Sequence, residues 1–122
     1  MSGVIVDACG WVAVVEAGIN IDIALADSVG PIDLKVTYHV LEELDRVQES
    51  HSRGLLLNLL RHRAEVVVGA GGDSHTDDEI LNIAHAEGWP VLTVDKRLKQ
   101  RLSERNIPYI EVSGLNNLRL VE

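Results

Sequence analysis

One cysteine, three prolines, no phenylalanine and an aromatic content of only 3% mark this 122-residue chain by what it lacks. The lone Cys9 cannot close an internal disulfide, so a packed core has to hold the fold, and a reducing cytoplasm is the expected setting. No apolar run approaches the length of a membrane span or of a signal peptide's hydrophobic segment. There is no internal repeat, low-complexity tract or linker. The five histidines, His39, His51, His62, His75 and His85, lack zinc-site spacing. Ser-His-Asp chemistry has no supporting motif. The 46% hydrophobic content is enough to build one core without staples, and a single domain over residues 1–122 is expected.

Positive charge is also scarce. The formal net charge is -8, which argues against indiscriminate phosphate binding. The shortage is an average, however. KRLKQRLSER, Lys96 to Arg105, carries five cations against one anion, while Asp73, Asp77, Asp78 and Glu79 gather elsewhere. Charge is segregated by region.

Strand-like and helix-like segments alternate. VIV is a strand that ends at Asp7, and GWVAVVEAG is a buried helix closed by Gly18. INIDIALADSVG reads as a looser helix ending at Gly30-Pro31, IDLKVTY as a strand, and HVLEELDRVQE as a helix with apolar positions at Val40, Leu41, Leu44 and Val47. SRGLLLNLLRHR is a further helix with Gly54 near its start, and EVVV is a strand running into a turn at Gly69 to Gly72. Thr76 and Glu79 have capping-box spacing and open DDEILNIAHAEG. PVLTV, KRLKQRLSER and PYIEV complete the series as strand, helix and strand. Five strands alternating with helices predict an α/β fold with a mostly parallel five-stranded sheet covered on both faces.

In open sheets of this kind ligands bind beyond the carboxyl ends of the strands. Asp7 and Asp95 both stand at such ends. Asp95 also suits a helix N-cap, whereas an unpartnered Asp7 would be a costly way to stop a buried strand. Stepping 100° per residue from the apolar stripe of HVLEELDRVQE, Glu43 borders the core and Glu42 faces water. In DDEILNIAHAEG the same arithmetic aims Asp77 inward and turns Asp78 out toward Asn82 and His85. Asp78 and Glu79 are ordinary first-turn acids that favour the helix dipole. Crowded carboxylates repel unless a cation neutralises them, and hard oxygen donors suit Mg²⁺ or Mn²⁺.

IVDA at the first strand, HVLEEL, TDDEILNIA, and LTVDKRLKQRL followed by IPYI together resemble the PIN-domain ribonucleases, over nearly the whole chain. The pattern is closer to the archaeal and ribosome-biogenesis branch than to the toxin branch. The resemblance implies a PIN-like three-layer α/β/α sandwich and Mg²⁺- or Mn²⁺-dependent hydrolysis of single-stranded RNA. Its acidic quartet falls on Asp7, Glu43, Asp77 and Asp95 as catalytic and metal-binding residues, with Asp78 and Asp73 as accessory candidates. Lys96, Arg97, Lys99 and Arg101 would guide the RNA backbone, and Thr93 matches a hydroxyl that such proteins place beside the site. A homodimer and an antitoxin or ribosome-assembly partner belong to the same expectation. With Trp11, Trp89, Tyr38 and Tyr109 as its only aromatic residues, the chain has few platforms for reading bases.

One departure stands out. Many relatives follow the first aspartate with Ser, Thr or Asn, whereas this chain has Ala8 and Cys9. A weakly active or inactive RNA-binding or assembly subunit is therefore the alternative. A phospho-receiver domain would need an aspartate closing the third strand and a lysine after the fifth; here EVVV meets Gly69 and PYIEVSG has no lysine. GAGG lacks the Gly-Lys-Ser/Thr element of a nucleotide loop.

Overall fold

The computed structural model describes residues 3–50, 56–68, 76–114 and 117–122, with side chains throughout except at 47–50 and 56–59. The expected turn at Gly69 to Gly72, together with Asp73, His75, His51 and Gly54, lies outside the described residues.

In chain order the elements are β1 (Gly3–Val6), α1 (Ala8–Glu16), α2 (Ile21–Val29), β2 (Asp33–Val36), α3 (Tyr38–Ser50), α4 (Leu56–Arg63), β3 (Ala64–Val66), α5 (Thr76–Glu87), β4 (Val91–Leu92), α6 (Lys96–Glu104), β5 (Tyr109–Ser113) and β6 (Asn117–Val121). The sheet order is β3-β2-β1-β4-β5-β6. The first five strands are parallel, and β6 runs antiparallel to β5 with Ile110 opposite Leu120 and Val112 opposite Leu118. The α/β class and the mostly parallel sheet are as expected, but the sheet has six strands and not five. NLRLV was not expected as a strand, although Leu118 and Leu120 alternate with Asn117 and Arg119, and Gly114 (φ +63°) turns the chain back just before it.

Every residue of β1 is buried, as a central parallel strand covered on both faces requires. α1 packs on α3 and α4, and the right-handed crossover rule applied to this strand order puts α1 to α4 on one face and α5 and α6 on the other. Val4, Ile5, Val6, Leu92 and Ile110 form the middle layer of the core, between Val14, Val40 and Leu44 on one side and Ile80, Leu98 and Leu102 on the other. The strand order reverses between β1 and β4. Their register, Val6 against Leu92, brings Asp7 level with Thr93, and the Asp7 amide donates to the Leu92 carbonyl at 3.0 Å.

The helices that follow these strands begin with side-chain caps. Asp7 accepts from the Ala8 amide to start α1, Thr37 Oγ1 accepts from the Val40 amide at 3.2 Å in the first turn of α3, and Asp95 Oδ1 accepts from the Arg97 and Leu98 amides at 2.8 and 3.2 Å to start α6. Three helix N-termini thus open at the carboxyl edge of the sheet, where their dipoles present positive charge. Among the described residues, no single helix is long and apolar enough to cross a membrane.

Candidate active site

Asp7 is 5% exposed, and three donors meet its carboxylate. Oδ1 accepts from the Ala8 amide at 2.9 Å. Oδ2 accepts from the Thr93 hydroxyl at 3.0 Å and from the Cys9 thiol at 3.1 Å. Burial holds the Asp7 carboxyl above the usual aspartate range; the three hydrogen bonds work against that shift, and the charge of Asp77 adds to it. Thr93 is fully buried, and its oxygen also accepts from the Asp95 amide at 3.1 Å. It faces inward between the two strand-end aspartates, so its geometry suits holding them more than touching a substrate.

Asp77 sits in the first turn of α5, as its helical phase predicts, and is partly buried. Its carboxyl is also held above the usual range, first by burial and then by the charge of Asp95. Asp78 adds to the shift, while Arg101 and Arg97 oppose it. Asp77 therefore stands near both Asp7 and Asp95, although the three come from separate stretches of chain. Glu43 joins them from α3: with Thr76, Asp77, Asp78, Arg97 and Arg101 it lines a cavity of about 530 Å³.

Asp78 does not turn away as its phase suggested. It pairs with Arg101 across the gap between α5 and α6 and helps line the cavity. Glu79 turns instead to His39 Nδ1 of α3, at 3.3 Å. Of the four cations singled out in the sequence, Arg97 and Arg101 reach the cavity and Lys96 is exposed. Lys99 points elsewhere: its ammonium pairs with Glu111 at 2.9 Å and lies 5.7 Å from the centre of the Tyr109 ring. Helical phase separates these fates, because Arg97 and Arg101 are one turn apart and Lys99 lies between them on another face. The part played by Cys9 was not visible in the sequence, where it read only as a missing hydroxyl.

The donors fit a hard cation in kind, since they are carboxylate oxygens. Among the described residues no three His, Cys, Asp or Glu side chains stand close enough to grip one ion together.

The raised carboxyls predict an acid-side stability profile. A group whose folded value lies above its unfolded one contributes stability that is full below the unfolded value, 3.8 for aspartate, and is lost as pH rises through the folded value. In thermal melts of metal-free protein, Asp7 and Asp77 should therefore lower the melting temperature as pH climbs from about 4, and Asp77→Asn should shrink that fall. An unchanged profile in Asp77→Asn would show that the acids do not crowd.

A family model described as a PIN like domain matches residues 4–114. The solved structure of the PIN domain endonuclease Utp24 superposes with a TM-score of 0.83, covering 97% of this chain and 90% of that one at 21% identity, a likeness of fold. Among curated proteins no sequence matches.

Proposed function

Because the chain belongs to the PIN-like domain family, we propose that it is a nuclease that hydrolyses phosphodiester bonds in single-stranded RNA with Mg²⁺ or Mn²⁺. The observation that carries this reading is the meeting of Asp7, Asp77 and Asp95 at the reversal of strand order, beside a cavity that Arg97 and Arg101 share with Glu43. Asp7 and Asp77 are the residues that would hold the ion, with Asp95 and Glu43 completing the negative field; Asp78, already bound to Arg101, is an accessory ligand at most. When bound, a divalent ion supplies charge that polarises the phosphoryl oxygens and favours in-line attack by water.

The chain's own groups do the rest. Asp95 Oδ1 is committed to two helix amides, which leaves Oδ2 outside the cap. Arg97 and Arg101 draw a phosphate backbone toward a rim that the net charge would otherwise make repulsive, and the helix N-termini add to that pull. Lys96 extends the cationic edge, and Thr93 belongs to the support of the site. The resemblance to the ribosome-biogenesis branch extends the proposal to ribosomal RNA processing in the cytoplasm, to self-association, and to a ribosome-assembly partner; a toxin role with an antitoxin is second.

Incubating the protein with labelled single-stranded RNA, with and without Mn²⁺, tests the proposal. Cleavage should need the ion, cease with chelator, and spare duplex RNA. RNA binding with no cleavage under any divalent ion would favour an RNA-binding or assembly subunit.

A further inference from the structure

The thiol that replaces the expected hydroxyl sits at a saturated oxygen. A carboxylate offers roughly four acceptor positions, two on each oxygen. On Asp7, Oδ2 receives Thr93 Oγ1 at 3.0 Å and Cys9 Sγ at 3.1 Å, which fills it, while Oδ1 receives only the Ala8 amide. The proton count closes around this arrangement. Thr93 has one proton to give and accepts from the Asp95 amide, so its proton is free to point at Asp7. The sulfur takes the Val94 amide and lies 3.4 Å from Thr93 Oγ1. If the thiol proton turned to Thr93, the Thr93 proton would still reach Asp7.

We propose that Cys9 and Thr93 form a two-donor clamp on Asp7 Oδ2, leaving Asp7 one oxygen for a cation and so selecting against ions that take carboxylates through both oxygens. The selection rests on the nuclease reading for the cation itself and on ion chemistry for its direction. Ca²⁺ accepts bidentate carboxylates in a loose shell of 6–8 oxygens, about 2.3–2.6 Å away, whereas Mg²⁺ takes single oxygens in a tight octahedron of about 2.0–2.1 Å. Mn²⁺ suits the same oxygen octahedron. A thiol that nothing activates has an ordinary value of about 8.5 and is protonated at neutral pH, so it has a proton to donate.

Calorimetric titration of the whole protein with Mn²⁺ alone and with Ca²⁺ alone tests the clamp in wild type, Cys9→Ala and Cys9→Ser. Cys9→Ala should weaken Mn²⁺ about tenfold, the usual scale for losing an outer-shell partner. It should leave Ca²⁺ unchanged or tighter, so the Mn²⁺/Ca²⁺ ratio falls; Cys9→Ser should restore it. An unchanged ratio in Cys9→Ala, or a serine variant that behaves like alanine, overturns the clamp, as does a wild type that binds no Mn²⁺. A second readout needs neither metal nor RNA. With one cysteine in the chain, the infrared spectrum has one S–H stretch, which should lie lower in wild type than in Asp7→Asn, where the acceptor is weaker. Equal bands overturn the proposal. A shifted band and ratio without RNA cleavage would support the clamp and remove the nuclease reading alone.

Discussion

Asp77→Asn is expected to cut Mn²⁺-dependent RNA cleavage by about 10³-fold or more while leaving the metal-free protein at least as stable as wild type. A metal ion contributes several kcal/mol of transition-state stabilisation, and each 1.36 kcal/mol is a factor of ten, so loss of a directly binding carboxylate reaches about three decades. Stability should move the other way. Asp77 is disfavoured as an anion by partial burial and by Asp95 and Asp78, and a neutral amide of the same shape removes that repulsion. For Asp7→Asn and Asp95→Asn the structure sets different outcomes. Asn is as good an N-cap as Asp, so Asp95→Asn should melt near wild type. In Asp7→Asn a new amide N–H₂ would meet donors on at least one oxygen position, so relief of burial is offset by a disturbed clamp. Single-turnover cleavage with matched thermal melts in chelator decides the matter: an Asp77→Asn variant that cleaves like wild type, or one that is strongly destabilised, sinks the assignment.

Much of this site was legible because two periodicities report on it. Apolar runs of β-branched residues end at Asp7 and just before Asp95, and strand ends are where open parallel sheets gather their ligands. The helical step distinguishes Glu43, which lines the cavity, from exposed Glu42. The same step failed at Asp78, because phase within one helix says nothing of what the neighbouring helix brings; Arg101 of α6 draws that carboxylate across. Lys99 was grouped with Arg97 and Arg101 by the resemblance alone, whereas helical phase sets it on another face, where Glu111 of β5 pairs with it. β6 was missed since its alternation is short and its partner strand, β5, is itself only five residues long. Thr93 and Cys9 show a further limit. They lie 84 residues apart and meet only because β1 and β4 are neighbours, so their joint hold on Asp7 follows from topology.

That meeting depends on a residue without a side chain, and Gly10→Ala should expose the dependence. A Cβ at position 10 would stand 2.5 Å from the Leu92 carbonyl oxygen, 2.9 Å from its carbon and 3.1 Å from Thr93 Cα. All three are backbone atoms of the β4 segment, so no rotamer change can relieve the contact. Alanine gains about 1 kcal/mol of helix propensity over glycine, and overpacking a tight site costs about 1–3 kcal/mol, occasionally more. With the backbone of a central strand as the obstacle, the clash wins, and a net loss of about 1–2 kcal/mol is expected. The displacement matters more than the loss. α1 can only move away from β4, which carries Cys9 from Thr93 and loosens Asp7, so Mn²⁺ affinity should fall further than the stability change accounts for. Gly18→Ala is the control: Gly18 has φ +69° with open space around it, so alanine there strains the helix end and leaves the site alone. Urea melts and Mn²⁺ titration of both variants separate the cases. If Gly10→Ala is as stable as wild type and binds Mn²⁺ equally well, α1 does not need its close approach to β4, and the support of Asp7 must lie elsewhere.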